Sequence, residues 1–159
     1  MSLDNKIIGF IDESSPQTTS NTMGLWSFDR PEITKNTSKF RANTFGFYFP
    51  NGISIADFHD NSRKEDIISF MKKIRRMNPY KRIIAIIDNF KPHHSNETVQ
   101  RQNELKIGLL YLPPYSPDLN QIEYSWKSIK REISRVFIGS EQHLKYIISS
   151  QFHRFSSRL

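Results

Sequence analysis

The chain has no cysteine among its 159 residues. This absence excludes a disulfide scaffold, a zinc ribbon, a thiol nucleophile and an iron–sulfur centre. Long hydrophobic runs are missing too, because the longest, Ile83 to Ile87 and Ile107 to Leu112, are far shorter than the roughly 18 residues that span a bilayer. The stretch from Met1 to Phe10 lacks the layout of a signal peptide. We therefore expect a cytoplasmic protein without a membrane partner.

Acidic residues are outnumbered by basic ones. The chain has 23 Lys and Arg against 16 Asp and Glu, which gives a formal charge of +7. A polyanion such as nucleic acid is the natural partner of this charge, although many basic proteins merely carry a solvated face. Aromatic residues make up 13% of the chain. A chain of this length can bury enough surface to form one domain, so we treat residues 1–159 as a single unit.

The order of predicted elements favours a mixed sheet with helices packed on it. An Asn-Gly pair between two β-prone runs predicts a tight hairpin, because both residues tolerate positive φ. The stretch from Glu13 to Lys39 reads as a long connection with one short strand around Leu25, Trp26 and Phe28. The other predicted elements are strands at Lys6 to Ile11, Arg82 to Ile87 and Ile107 to Leu112, and helices at Asn61 to Met77, Ser95 to Glu104, from Ile122 onward, and Glu141 to Phe155.

Three acidic residues fall at the ends of predicted elements. Asp12 and Asp88 each close a buried strand, and Glu123 lies in the first turn of a helix. If the two strands are parallel neighbours, these carboxylates converge, and carboxylates held together need a cation or a proton. Oxygen ligands without a Cys or His set favour Mg²⁺ or Mn²⁺ over Zn²⁺.

Each of these acids also has a simpler interpretation. Acidic residues at strand ends are common in folded proteins. Asn120 could cap the helix, with Glu123 at its third position forming a pair like a capping box. The positions alone leave both interpretations open.

Two motifs resemble the signatures of the mariner-like insertion-sequence transposases, members of the Asp-Asp-Glu superfamily. The first is IIDNFKPHHS from Ile86 to Ser95, and the second is YLPPYSPDLNQIEYSWK from Tyr111 to Lys127. Asp88 and Glu123 are separated by 34 residues, as is typical of that group, and Ile11 to Ser14 resembles the first catalytic strand. The resemblance implies a ribonuclease H-like α/β fold, with a mixed five-stranded sheet and helices on both faces.

The same resemblance implies what the chain does. Asp12, Asp88 and Glu123 would be the catalytic triad and would bind two Mg²⁺ or Mn²⁺ ions. The reaction would be hydrolysis of phosphodiester bonds at transposon ends, followed by strand transfer into target DNA. The partner would be double-stranded DNA, and a dimer is expected when two transposon ends are paired. The protein would act in a prokaryotic cytoplasm, in association with the nucleoid.

The sequence departs from the family in two respects. Family members commonly have Pro where Gln121 stands, a change that is sterically harmless in a first helical turn. Full transposases of this group also carry helix-turn-helix modules before the catalytic domain, and none is expected within these residues. A separate helix-turn-helix partner would supply that function if the gene is split between two reading frames.

Further residues are candidates for contact with DNA or for support of the triad. Asn89 and His93 follow the second acid and match the family pattern, but a histidine that caps the next helix is an equal alternative. Trp126 lies on an apolar stripe and is predicted to be in the core. Burial of Trp26 in the core, and a merely solvated helix end for the cations of the first helix, are equal alternatives to contact with DNA. The candidates for DNA contact are Trp26, Lys72, Lys73, Arg75, Arg76, Lys127 and Lys130.

Two other functions remain open on the sequence. One is a stand-alone ribonuclease H-like nuclease, against which the run from Leu112 to Asn120 favours a transposase. The other is a catalytically silent remnant or a DNA-binding regulator. Retention of all three acids argues against decay of the site.

Overall fold

A five-stranded mixed sheet forms the centre of the molecule. The computed structural model describes residues 5–18, 28–29, 38–50, 52–61, 63–88 and 96–156. The strands are β1 (Lys6–Ser14), β2 (Thr44–Tyr48), β3 (Ile55–Phe58), β4 (Arg82–Ile87) and β5 (Ile107–Tyr111), in the order β3-β2-β1-β4-β5. Strands β1, β4 and β5 are parallel, whereas β2 is antiparallel to both β1 and β3. The predicted mixed sheet is confirmed.

Four helices cover the two faces of this sheet. They are α1 (Lys64–Met77), α2 (Asn96–Leu105), α3 (Ile122–Arg135) and α4 (Glu141–Ser156), with a short 3₁₀ turn at Pro117–Leu119 before α3. One apolar core joins α1 to the face that contains Ile7 and Ile83. A second core joins α3 and α4 to the face that contains Phe10. None of the helices in the described ranges is long and apolar enough to cross a membrane.

The start of α1 lies later than predicted. The helix begins at Lys64 rather than Asn61, because the carboxylate of Asp66 accepts a hydrogen bond from the backbone N–H of Arg63 at 3.0 Å. This contact caps the helix at Arg63. The cations of its last turn, Arg75 and Arg76, suit the negative end of the helix dipole, as expected.

The hairpin between β2 and β3 is present, but its turn is longer than predicted. The two strands are separated by residues 49–54, and the backbone N–H of Gly52 donates to the carbonyl of Phe49. Gly52 does not have positive φ, so the predicted two-residue turn with positive φ at both centres is wrong. The buried hydroxyl of Ser54 accepts a hydrogen bond from the N–H of Phe49 and stabilises this wider connection.

The strand predicted around Leu25, Trp26 and Phe28 is not supported where it can be checked. Phe28 lies in a bend and is fully exposed. Leu25 and Trp26 lie outside the described residues. A hydrophobic residue without alternation around it is weak evidence for a strand, because a buried face needs several such residues at period two.

Candidate active site

Parallel pairing brings the first two acids to the same edge of the sheet. The ladder between β1 and β4 ends at the pair Ile11 and Ile87, and Asp12 and Asp88 follow these residues directly. Adjacent strands are about 4.8 Å apart, so the two aspartates start from neighbouring backbone positions on the same face. Asp12 still lies within β1, because the longer ladder with β2 pairs it with Gly46. The predicted strand from Lys6 to Ile11 is thus shorter than the observed β1, which runs on to Ser14.

Helix α3 brings the third acid to this edge. The Nε1–H of Trp126 donates a hydrogen bond of 2.9 Å to Oδ2 of Asp12. Glu123 precedes Trp126 by three residues, so it lies one turn nearer the amino end of the same helix. The apolar stripe of α3 packs on the sheet, and this packing fixes the height at which Glu123 stands above the aspartates.

A glycine allows the helix to approach this closely. Gly46 lies opposite Asp12 on β2. A methyl group at this position would lie 2.6 Å from Phe152, 2.9 Å from Ile122 and 3.0 Å from Trp126, so at least the first two side chains would have to move. The absence of a side chain at Gly46 therefore lets the indole of Trp126 reach the carboxylate of Asp12.

The three acids line a single pocket of about 410 Å³. The rest of its wall comes from the proline-rich connection and from the turn before α3. Those further lining residues are Leu112, Pro113, Pro114, Tyr115, Ser116, Pro117 and Asn120. The prolines restrict the backbone of this wall, which is the rigid connection that the sequence predicts.

The electrostatics of the pocket favour a cation. Burial, together with the negative charges of Glu123 and Asp88, raises the pKa of Asp12 from its ordinary 3.8 to about 7. The backbone N–H of Glu13 and the indole of Trp126 act in the opposite direction by donating hydrogen bonds to Asp12. A divalent cation between the carboxylates would offset both causes of the rise.

The three carboxylates line one pocket but are not arranged as the ligands of a single metal ion. In the part of the chain that the structure describes, no three His, Asp or Glu side chains are grouped closely enough to hold one metal ion together. The oxygen chemistry of the donors still fits Mg²⁺ or Mn²⁺, ions that keep several water ligands and need few carboxylates. The donor set is therefore compatible with the ions that the sequence predicts.

The amino end of α3 is not capped by the side chains of Asn120 and Glu123, which was the simpler interpretation of these residues. The backbone N–H of Glu123 donates to the backbone carbonyl of Asn120 at 3.0 Å. No side chain caps α3, and Oδ1 of Asn120 has no hydrogen-bond partner among the described residues. The predicted pair of the Asn120 and Glu123 side chains is thus wrong, because the backbone alone makes the turn. The Glu123 carboxylate has no capping role.

Two of the candidates for DNA contact are engaged within the protein. The guanidinium of Arg75 donates to four backbone carbonyls, those of Leu105, Asn78, Lys81 and Lys106, at 2.8–3.0 Å. The ammonium of Lys73 lies 3.1 Å from the carboxylate of Asp57 and also donates to the carbonyl of Ala56. These two side chains hold elements together, so the prediction that they contact phosphate is not supported.

The end of α1 also lies far from the acids. Lys81 and Lys106, whose carbonyls bind Arg75, precede the amino ends of β4 and β5. Asp88 lies at the other end of β4, and six strand residues at about 3.3 Å each separate the two edges by about 20 Å. Lys72 and Arg76 are exposed on this distant helix.

Two lysines of α3 lie on the face of the helix that carries Glu123. Lys127 and Lys130 follow Glu123 by four and seven residues, so they share its face of the helix. Both are exposed, and Nζ of Lys127 lies 5.7 Å from the centre of the Tyr124 ring. Trp26, Asn89 and His93 lie outside the described residues, and their predicted roles stay predictions.

Sequence reasoning missed two features of the site. Trp126 is 1% exposed and lies in the core as predicted, but its hydrogen bond to Asp12 was not foreseen. Tyr115 lines the pocket, is fully exposed and has a φ of 57°, which is unusual for a residue with a side chain. The run Pro113-Pro114-Tyr115-Ser116-Pro117 was the signal that could have found it, since prolines on both sides restrict the backbone around the tyrosine.

Comparison with known proteins decides the family. The model of the DDE superfamily endonucleases matches residues 8–145. The chain belongs to this family. The match spans all three acids of the pocket, so this DDE domain contains them within the region that defines the family.

The fold of the DDE domain is that of a mariner transposase catalytic domain. The Mos1 transposase paired-end complex with the left transposon end has a TM-score of 0.68 at 15% identity, over 97% of this chain and 53% of that chain. The mariner Mos1 paired-end complex with Mg has a TM-score of 0.71 at 17% identity, over 93% of this chain and 48% of that chain. The catalytic domain of Mos1 mariner transposase has a TM-score of 0.62 at 15% identity, over 95% of this chain and 78% of that chain. These matches confirm the ribonuclease H-like architecture expected from the resemblance.

The chain spans about half of the Mos1 chains in the paired-end complexes. No curated protein sequence matches it.

Proposed function

We propose that the chain is the catalytic domain of a DNA transposase. It would hydrolyse phosphodiester bonds at transposon ends and join the freed 3′-hydroxyl to target DNA. The observation that carries this proposal is the convergence of Asp12, Asp88 and Glu123 in one pocket of a DDE endonuclease domain. The solved Mos1 structures support it, since they include a complex with a transposon end and a strand transfer complex.

The three carboxylates are the proposed holders of two Mg²⁺ or Mn²⁺ ions. When bound, the ions would activate a water or a 3′-hydroxyl and stabilise the leaving oxygen of the phosphodiester. The raised pKa of Asp12 and the all-oxygen donor set support a divalent cation at this place. A Mos1 complex was solved with Mg, which is consistent with this choice.

Other side chains of the domain would position the reacting groups. Trp126 would orient the carboxylate of Asp12 by its hydrogen bond to Oδ2. The rigid connection from Pro113 to Pro117 limits movement of the opposite wall. Lys127 and Lys130 would bind the phosphates of the DNA strand that enters the pocket.

The catalytic domain would also need functions supplied from elsewhere. Residues 1–159 would form one catalytic domain, with recognition of the transposon ends supplied by a helix-turn-helix module. Cleavage of two ends together would require a dimer on DNA. We place this activity in a prokaryotic cytoplasm, at the nucleoid.

A nicking assay tests the proposal. The full chain is incubated with supercoiled plasmid in Mn²⁺, Mg²⁺ or EDTA, beside Asp88→Asn and a control variant, Asp118→Asn, whose exposed acid does not line the pocket. We expect nicked circles with wild type and Asp118→Asn in Mn²⁺, and none with Asp88→Asn or in EDTA. Equal nicking by Asp88→Asn would contradict the assignment of the site.

Strand transfer is tested separately. A labelled DNA duplex with a free 3′-hydroxyl, taken from the sequence that flanks the gene, replaces the nicking substrate. Joining of the label to plasmid by wild type, and not by Glu123→Gln, is the expected result. Nicking without any joining, also in the presence of a helix-turn-helix partner, would favour a stand-alone nuclease.

A further inference from the structure

One polar group in the pocket is not explained by the three carboxylates. The side chain of Asn120 is 3% exposed and lines the same pocket as Asp12, Asp88 and Glu123. Its Oδ1 is buried and has no hydrogen-bond partner in the described ranges. A buried carbonyl oxygen without a donor destabilises the folded state, so such a group in a native protein calls for an explanation, such as a bound ion, an ordered water or a catalytic role.

The backbone of Asn120 is held in place on both sides. Its N–H donates to the carbonyl of Pro117 at 3.0 Å, and its carbonyl accepts from the N–H of Glu123 at 3.0 Å. The residue thus joins the 3₁₀ turn to the first turn of α3. Because both contacts use backbone atoms, the carboxamide is left for another purpose.

The chemistry of Oδ1 limits what it can bind. A carboxamide oxygen only accepts hydrogen bonds or ligates cations, so it is unsuited to the anionic oxygens of a phosphate. The neighbouring acids likewise favour a positive group or a donor. A divalent cation with its water ligands satisfies all of these groups, and amide oxygens are common ligands of hard cations.

We propose that Asn120 is a positioning residue of the cation site, with Oδ1 bound to the divalent cation beside Glu123 either directly or through one water molecule. This inference rests on the proposed function, since it assumes that the carboxylates hold a cation. It adds a neutral oxygen to the acids that the family motif supplies.

The test measures Mn²⁺ binding and thermal stability without measuring catalysis. Free Mn²⁺ is titrated by electron paramagnetic resonance against wild type, Asn120→Leu, Asn120→Asp, Asp88→Asn and Gln121→Leu. Leucine has nearly the shape of asparagine but no acceptor. Gln121 is the matched control because it adjoins Asn120, is exposed and does not line the pocket.

The expected pattern separates a cation contact from a structural role. Asn120→Leu should weaken Mn²⁺ binding about tenfold or more, as the removal of supporting groups around a metal usually does. Without metal, its melting temperature should equal or exceed that of wild type, since Oδ1 contributes no hydrogen bond there. Asn120→Asp should keep or strengthen Mn²⁺ binding but melt lower without metal, because a fourth carboxylate adds repulsion. Gln121→Leu should match wild type in Mn²⁺ binding.

Two results would overturn the inference. One is unchanged Mn²⁺ affinity in Asn120→Leu. The other is a lower metal-free melting temperature of Asn120→Leu, which would show that Oδ1 is bonded within the folded protein. If Asp88→Asn binds Mn²⁺ as tightly as wild type, or wild type does not bind it, the proposed function fails instead. If Asp88→Asn weakens Mn²⁺ binding and Asn120→Leu does not, the proposed function is retained and only the role of Asn120 is rejected.

Discussion

Among the individual residues, Asp12 combines the two conditions that a metal-binding carboxylate needs. It is oriented by the indole of Trp126, and it lies where burial and the charges of Glu123 and Asp88 oppose its ionisation. A buried carboxylate without a cation is a source of instability. The same residue would therefore link the stability of the protein to the binding of the proposed cation.

Replacement of Asp12 by asparagine should stabilise the metal-free protein at alkaline pH. The pKa of Asp12 is 3.8 in ordinary surroundings and about 7 in the folded protein. Between these values the folded state binds more protons than the unfolded state, so stability falls as pH rises through this window. An asparagine side chain cannot ionise, so the melting temperature of Asp12→Asn in EDTA should exceed that of wild type, by more at pH 8 than at pH 5. Asp118→Asn is the control, and a difference independent of pH would contradict the explanation.

Trp126 should act on the site through its N–H group. Trp126→Phe keeps an aromatic ring in the core but loses the hydrogen bond that lowers the pKa of Asp12. Protons then compete better with Mn²⁺, and the midpoint of the pH dependence of Mn²⁺ binding should move to higher pH. Phe152→Leu is the control, because Phe152 packs edge-on against Trp126 at 5.1 Å and does not touch this hydrogen bond. An equal movement of the midpoint in both variants would assign the effect to packing.

Single residues also show what the sequence could not reveal. The acids are visible as the ends of buried runs, and a family motif marks them. The bond from Trp126 to Asp12 joins residues 114 positions apart, and it depends on the height of α3 above the sheet. The absence of a side chain at Gly46 leaves room for α3 and α4 at this height, and its importance appears only once β2 is paired beside β1.

Among the helices and strands, α1 shows how a cation in a basic cluster can be structural. The guanidinium of Arg75 bridges the end of α1, the turn before β4 and the end of α2 through four carbonyls. In the sequence, four cations in the last turns of a helix indicate a surface that binds phosphate. The sequence does not show that backbone carbonyls lie close enough to bind one of these cations within the protein. The partners Leu105 and Lys106 are 30 and 31 residues away along the chain.

Loss of the Arg75 guanidinium should lower stability substantially. Arg75→Met keeps the apolar stem but leaves the carbonyls of three connections without this donor. We expect a loss of about 2–3 kcal/mol in the free energy of unfolding, measured with urea, since hydrogen bonds to charged groups contribute about that much. Arg76→Met, one residue later and exposed, should change the free energy by less than about 0.5 kcal/mol. Similar values for the two variants would contradict the structural role of Arg75.

The lysines of α3 and the cations of α1 should differ in their contribution to DNA binding. Lys127 and Lys130 share the face of Glu123, whereas Lys72 and Arg76 lie on the helix that ends at the opposite edge of the sheet. For a short duplex with a nick, the double variant Lys127→Gln/Lys130→Gln should lower the slope of log affinity against log salt by about 2, because two phosphates are no longer neutralised. Lys72→Gln/Arg76→Gln, with the same change in net charge, is the matched control. An equal loss in both pairs would show that only total charge matters.

Element boundaries divide into those that the sequence determines and those that tertiary contacts move. The run of isoleucines predicts β4 at Arg82–Ile87, because a strand covered on both faces needs no alternation. Strand β1 runs on to Ser14 because β2 continues to pair with it, and no local pattern reports that pairing. The turn after β2 widens because Ser54 bonds back to Phe49, which overrides the usual preference of Asn-Gly.

In the molecule as a whole, the topology explains why distant acids meet. The crossover from β1 to β4 through the hairpin and α1 makes these strands parallel neighbours, and their carboxyl ends carry Asp12 and Asp88. Ligands of open α/β sheets bind at the carboxyl ends of strands for this reason. Helix α3 then returns over the same face and adds Glu123. The sequence predicts this arrangement from its order of elements, but the size and walls of the pocket depend on tertiary packing that no sequence pattern reports.

Everything proposed for the site depends on whether these three carboxylates hold divalent cations between them. Anomalous diffraction from crystals of the chain soaked in Mn²⁺ locates manganese directly. We predict a manganese peak in contact with the carboxylates of both Asp12 and Asp88, with Glu123 beside it, and its loss in crystals of Asp88→Asn. Ordered carboxylates at all three positions with no manganese between them, at Mn²⁺ concentrations that support nicking, would contradict this prediction.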